Sequence, residues 1–287
     1  MRLDGPESSN IEDDTGRSGG MSLGGGGGGL IMMLLQLVAS RFGIVGIIVL
    51  ALGYCALQSL GGGAGPTIGG NGGKSTLDPA TKTTLAKILG STEQVWGQVF
   101  QQAGSTYTPT TLAIYDRSYQ SGCGAAQSAM GPFYCPTDKK IYLDPEFFNE
   151  LSTKFNAPGD FPDGYVIAHE VGHHIQDLEG TLDKAQQAQG SLGQAAGNKV
   201  QVGIELQADC YAGVWAKRSG VMEAGDLEEG LRAAQAIGDD TLQKETQGQV
   251  VPDSFTHGTS AQRMEALKTG ATTGDPASCA KYTQGGY

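Results

Sequence analysis

Apolar residues are distributed along this chain in three ways, and each predicts a different kind of element. Residues 30–60 read LIMMLLQLVASRFGIVGIIVLALGYCALQSL, apolar except for Gln36, Ser40, Arg41, Gln58 and Ser59. A helix needs about 20 apolar residues to cross a bilayer, and 42–60 supplies nearly that many without a charge. Glycine-rich runs flank this stretch, GGGGGG at 24–29 and LGGGAGPTIGGNGGKS at 60–75. These read as flexible polar linkers, so a buried core helix would have nothing to pack on. The pattern predicts a membrane anchor region over 30–60, between a disordered glycine-rich tail over 1–29 and a linker over 61–75. The long acidic and glycine-rich lead lacks the short basic start of a cleaved signal peptide, so the span is expected to be retained.

Helical spacing dominates beyond the linker. Leu85, Ile88, Leu89, Val95, Trp96 and Val99 predict one or two amphipathic helices over 77–103. Val166, Ile167, Val171, Ile175 and Leu178 predict another over 165–178. Residues 182–220, rich in Ala and Gln, end on basic residues and Gly220, as a helix or helix pair should. DLEEGLRAAQAIGDDTLQK (226–244) and SAQRMEALKTG (260–270) add two short helices. Strand character is confined to TPTTLAIYD (108–116) and KIYLDPEFF (140–148), where β-branched and aromatic residues are bounded by Gly and Pro. The glycine- and cysteine-rich stretch between them reads as a loop, and no internal repeat is visible. Residues 76–287 are thus expected to form one α+β domain, mainly helical, with a small sheet toward its N-terminal side.

Composition narrows the function. A formal charge of -11, from 19 basic and 30 acidic residues with no Lys/Arg cluster, disfavours nucleic-acid binding. Cys55 lies in the apolar run, and Cys123, Cys135, Cys210 and Cys279 lie in the domain. That even count fits two disulfides formed outside the cytoplasm, paired by proximity as Cys123 with Cys135 and Cys210 with Cys279. The alternative is a Cys-based metal site or free buried thiols. Only Arg41 clearly favours a cytoplasmic N-terminal side. With the cysteines it gives a single-pass protein of the bacterial inner membrane, its C-terminal domain on the periplasmic or extracytoplasmic side.

Three of the four histidines fall in HEVGHH, residues 169–174. His169 and His173 form H-E-x-x-H, whose spacing of four sets both imidazoles on one helix face, able to share a zinc ion. Glu170, offset by about 100° along the helix, falls beside that ion and can take a proton from water there. A third ligand is supplied by ELQAD, where Glu205 and Asp209 again share a face. Glu205 completes the His2Glu set of catalytic zinc sites. Asp209, one turn on, is placed to orient a ligating histidine. The alternative is a solvated acidic pair, but Glu205 lies between Ile204 and Leu206 in an apolar stretch where an unpaired carboxylate is costly.

Together with SSNIED, SGCG, GPFYCPTDKKIYLD, GDF, YVIAHEVGHHIQ, ELQADCYAGVWA and SFTHGTSAQR in this order, the chain resembles the YpfJ-like neutral zinc metallopeptidases of bacteria. The resemblance implies a zincin-like domain of the gluzincin kind, with one zinc per chain on His169, His173 and Glu205 and with Glu170 as general base. The implied substrates are peptides or proteins. By similarity to membrane-linked gluzincins, His257 in SFTHGTS is expected to stabilise the oxyanion, the alternative being a structural or surface histidine. A rival reading of the whole is a catalytically silent zinc-binding scaffold or regulator at the cell envelope. His174 is expected in the outer shell or at the surface, Arg263 in an ordinary helix-surface ion pair, the alternative being a pair with an acidic residue near the site, and KKIYLD either in a substrate-aligning edge strand or in the core.

Overall fold

The computed structural model describes residues 1–16 and 75–284. The predicted membrane span, the linker to residue 74 and residues 17–29 of the tail lie outside the described residues. Among the described residues, no helix is long and apolar enough to cross a membrane.

Strand β1 (Ile11–Asp13) opens the chain and is followed by α1 (Pro79–Gln102), β2 (Thr111–Ile114), the hairpin β3 (Ser118–Ser121) and β4 (Gly124–Gln127), then β5 (Phe133–Cys135) and β6 (Lys140–Leu143). Helices follow: α2 (Glu146–Thr153), α3 (Phe161–Leu178), α4 (Thr181–Ser191), α5 (Gln194–Ser219), α6 (Asp226–Ala236), α7 (Asp239–Gln247) and α8 (Ser260–Thr273), with a final 3-10 turn at Pro276–Tyr282. The four-stranded sheet has the order β1-β2-β6-β5. β1, β2 and β6 run parallel, and β5 is antiparallel to β6. The architecture is α+β and mainly helical, as the periodicity predicts.

Several expectations are corrected. Residues 1–16 do not belong to a disordered tail, because Ile11, Glu12 and Asp13 pair in register with Leu112, Ala113 and Ile114. The stretch read as a loop between the two predicted strands holds β3, β4 and β5. The strand predicted over 140–148 stops at Leu143, since Pro145 starts α2 and carries Phe147 and Phe148 onto a helix. β6 lies between β2 and β5, so KKIYLD feeds an internal strand and the edges are β1 and β5. The predicted helix over 226–244 breaks at Ile237 and Gly238 into α6 and α7.

The core lies where α1, α3, α5 and α8 meet the sheet, with Trp96, Ile88, Leu89, Phe161, Ile167, Val171 and Trp215 fully or nearly fully buried. Glycines set how closely these helices approach. A Cβ on Gly270 of α8 would lie 1.9 Å from the Cys210 carbonyl oxygen of α5, and one on Gly213 would lie 2.2 Å from the Leu267 carbonyl oxygen. Only residues without side chains permit this crossing. α5 ends at Gly220 in the left-handed conformation with Lys217 and Arg218 in its last turn, where positive charge suits the helix dipole. Thr259 and Gln262 form a capping box that fixes the start of α8. Cys210 pairs with Cys279, tying α5 to the C-terminal turn, and Cys123 pairs with Cys135, tying the hairpin to β5.

Candidate metal centre

H-E-x-x-H occupies the middle of α3 and E-x-x-x-D the middle of α5. The two helices meet at Gly172 and Ala208, each lying between the functional residues of its own motif. A Cβ on Gly172 would sit 3.0 Å from both the Cα and the carbonyl oxygen of Ala208, so the backbones are close enough for Glu205 to reach the histidines.

His169 Nε2 lies 3.2 Å from Glu205 Oε2 and 3.2 Å from His173 Nε2. His173 Nε2 lies 3.5 Å from Glu205 Oε2. Ligand atoms around a tetrahedral zinc at about 2.0–2.1 Å are separated by about 3.3 Å. The three donors therefore form the base of such a tetrahedron, and together they are able to hold a metal ion.

Hydrogen bonds behind the donors fix which atoms face inward. The Asp209 carboxylate can only accept, so His169 Nδ1, 2.8 Å from Asp209 Oδ1, carries a proton, and in the neutral ring Nε2 is the nitrogen with the lone pair. Gln176 Nε2 donates to the Ile204 carbonyl and to Gln207 Oε1, so its own Oε1 accepts from His173 Nδ1 at 2.9 Å. His173 Nε2 is thus also left as an acceptor. Gln201 Nε2 holds the other Glu205 oxygen at 2.9 Å. Three acceptors directed at one point repel one another unless a cation lies between them, and that chemistry matches zinc.

Electrostatics point the same way. Burial disfavours a charged His169 ring, yet Asp209 and Glu205 outweigh it and push the ring up to about 10. His173 is raised against burial by Glu205. Burial disfavours the charged Glu205, but His173 and His257 bring its pKa well below the usual carboxylate range. This is a pocket that attracts positive charge.

Asp209 belongs to a network that motif spacing only partly reveals. It is 0% exposed and accepts from Tyr165 Oη at 2.6 Å, and from Arg263 Nε and Nη2 at 2.9 Å each. Arg263 Nη2 also donates to Tyr165 Oη, and Nη1 to the Ile237 carbonyl. For Arg263 the surface pairing is corrected in favour of the alternative near the site, because the residue is 3% exposed and forms a buried bidentate pair with Asp209. His174 is corrected too. It is 1% exposed, with Nδ1 at 3.0 Å from Tyr134 Oη and Nε2 donating to the Thr108 carbonyl at 2.7 Å, so it braces α3 against the sheet. Tyr165, Gln176, Gln201 and Gln207 escape the motif analysis. Gln176 and Gln201 stand one helical turn from His173 and Glu205, and that spacing is the signal that could have found them.

Glu170 is 6% exposed, and among the described residues nothing hydrogen-bonds its carboxylate. His257 belongs to the loop between α7 and α8, its side chain 48% exposed. Asp239 organises that loop: its Oδ2 accepts from the backbone N–H groups of Thr256, His257 and Gly258 at 2.7, 2.7 and 3.0 Å. Its Oδ1 lies 3.4 Å from His257 Nδ1. Desolvation lowers the His257 pKa, but Glu205 and Asp239 outweigh it and raise the value.

Comparison with known proteins agrees with this geometry. The model of the family described as "Putative neutral zinc metallopeptidase" matches residues 1–282. The chain is 47% identical over 281 residues to the Escherichia coli protein named "Uncharacterized protein YpfJ", covering 95% of each. It is 44% identical over 192 residues to the Mycobacterium tuberculosis protein named "Uncharacterized protein Rv2575", covering 62% of this chain and 64% of that one. No solved structure matches.

Proposed function

This chain belongs to the neutral zinc metallopeptidase family, and from that premise we propose that it hydrolyses peptide bonds at the centre formed by His169, His173, Glu205 and Glu170. The observation that carries the reading is the set of three convergent acceptors at zinc spacing, with the buried Glu170 carboxylate on the same helix free of hydrogen bonds among the described residues.

His169, His173 and Glu205 would hold the zinc, which when bound would supply a Lewis acid for the scissile carbonyl and for water near neutral pH. Glu170 accepts the proton of the attacking water and passes it to the departing amine. His257, whose ring Asp239 contacts at 3.4 Å, is placed to donate to the oxyanion as the carbonyl becomes tetrahedral. Asp209 keeps His169 in the tautomer that presents Nε2, and Gln176 does the same for His173. A peptide in extended form is proposed to align on the open edge of β5, whose Tyr134 contacts α3 through His174 and Asp177. A motif-bearing helix packed on a mixed sheet with an antiparallel outer strand supports a zincin-like arrangement.

Two disulfides support a location outside the cytoplasm. Attachment to the cell membrane is proposed from the apolar run at 30–60. The experiment is cleavage of a broad peptide library by the full chain before chelation, after it and after return of zinc. Activity lost and then restored supports the peptidase. Zinc uptake with no cleavage across the library favours the scaffold.

A further inference from the structure

The N-terminal motif SSNIED plays no part in the proposed chemistry, yet it is built firmly into the fold. Residues 1–16 first cross α1 at Gly90, where a Cβ would lie 2.4 Å from the Pro6 carbonyl oxygen. Ser8 N donates to the Ala86 carbonyl at 2.9 Å, and the side chains of Ser8 and Asn10 both donate to Glu93 Oε1 at 2.7 Å. The chain then enters the sheet as β1, with Leu112 N donating to the Asn10 carbonyl and Asp14 N to the Ile114 carbonyl, each at 2.9 Å.

At its far end this segment is clasped to the residues that precede α1. Thr15, 1% exposed, donates its hydroxyl to Asp13 Oδ1 at 2.7 Å and accepts from the backbone N–H groups of Thr76 and Leu77 at 3.1 Å each. Asp13 Oδ2 accepts from Ser75 Oγ at 2.8 Å and from Lys82 Nζ at 3.1 Å. Asp116 Oδ2 accepts from Gly16 N at 2.7 Å and from Thr76 Oγ1 at 2.9 Å, joining both sides of the clasp to the end of β2. Gly16 and Ser75, the described residues that flank 17–74, therefore belong to one hydrogen-bonded clasp.

A single crossing between residues 16 and 75 would put about 30 Å of hydrocarbon between groups that are in hydrogen-bond contact. It would also strip β1 from β2 and leave buried Thr15 and Ser8 without partners. We propose that residues 1–16 and 75–284 fold as one body on one side of the membrane, so that any bilayer contact made by 17–74 begins and ends at the same face. This replaces the single-pass arrangement expected from the sequence. It rests on the fold alone and goes beyond the peptidase reading. With the disulfides, it brings the N-terminal residues outside the cytoplasm together with the domain.

The test uses the full chain with Cys55→Ala, carrying either Ser9→Cys or Lys244→Cys, both at exposed positions. Spheroplasts with intact inner membranes are treated with a membrane-impermeant maleimide before or after lysis. Labelling of both positions before lysis is the expected result. Labelling of both only after lysis also supports a common side, while removing the extracytoplasmic location. Labelling of one before lysis and the other only after it overturns the proposal. A second variant, Thr15→Cys with Ser75→Cys and a protease site inserted between residues 61 and 74, is cut and run without reductant. The fragments are expected to stay joined, and their separation in a protein that retains its native disulfides would count against the clasp.

Discussion

His169 and His257 both feel the charge of the Glu205 carboxylate, but are held in different ways. His169 is buried, and behind it Asp209 is fixed by Arg263 and Tyr165 through contacts of 2.6–2.9 Å. His257 is half exposed, and its ring has one charged contact, at 3.4 Å to Asp239. A metal ligand must hold its donor still, and a closed hydrogen-bonded network does that. A group that meets the oxyanion must be reached by substrate, so it belongs on a loop whose backbone is fixed and whose ring is open to the cleft. The contrast separates a rigid half proposed to bind metal from an accessible half proposed to meet substrate.

The largest expected effect comes from breaking the rigid half. Arg263→Met leaves Asp209 charged, fully buried and without its counterion, and should cost about 3–5 kcal/mol in urea unfolding. A cost below about 1 kcal/mol would mean that Arg263 behaves as a surface residue and that the contrast fails. Removing the disulfide next to Asp209, by Cys210→Ser with Cys279→Ser, should cost about 4 kcal/mol because it opens a long loop. The sequence separations are 69 residues for this bridge and 12 for Cys123–Cys135. The loop-entropy relation then makes the second bridge worth about 1–2 kcal/mol less. Equal losses in paired melts would show that loop closure does not govern their difference.

The accessible half should respond in turnover rather than in folding. His257→Ala is expected to lower kcat by about 10²-fold or more with zinc content unchanged, as removal of an oxyanion donor does elsewhere. Loss of zinc in that variant would move His257 into the rigid half. The smallest effect sharpens the boundary between them. Thr259→Ala, which removes the cap joining the His257 loop to α8, should cost about 1 kcal/mol, read from the melting temperature.

How much of this was legible depends on period. H-E-x-x-H and E-x-x-x-D each lie on one long helix, so a spacing of four in sequence is a shared face in space. The structure brings the three proposed ligands together across a helix contact that Gly172 makes possible. For Arg263 the sequence leaves surface pairing and pairing near the site both open, because a helical repeat does not show which partner a side chain meets, and the crossing at Gly213 and Gly270 buries it against Asp209. β3, β4 and β1 were missed because SYQS, GAAQ and IED are three or four residues long and carry little apolar alternation. Their pairing is set by long-range partners, which local pattern does not encode.

The central claim is that the buried donors and Glu170 form a hydrolytic centre. Its most direct test is zinc content and peptide cleavage of the full chain measured side by side with Glu170→Gln. The account predicts one zinc in each protein and cleavage by the wild type alone. Cleavage by Glu170→Gln at the wild-type rate, or a wild-type chain that takes up no zinc, would contradict it.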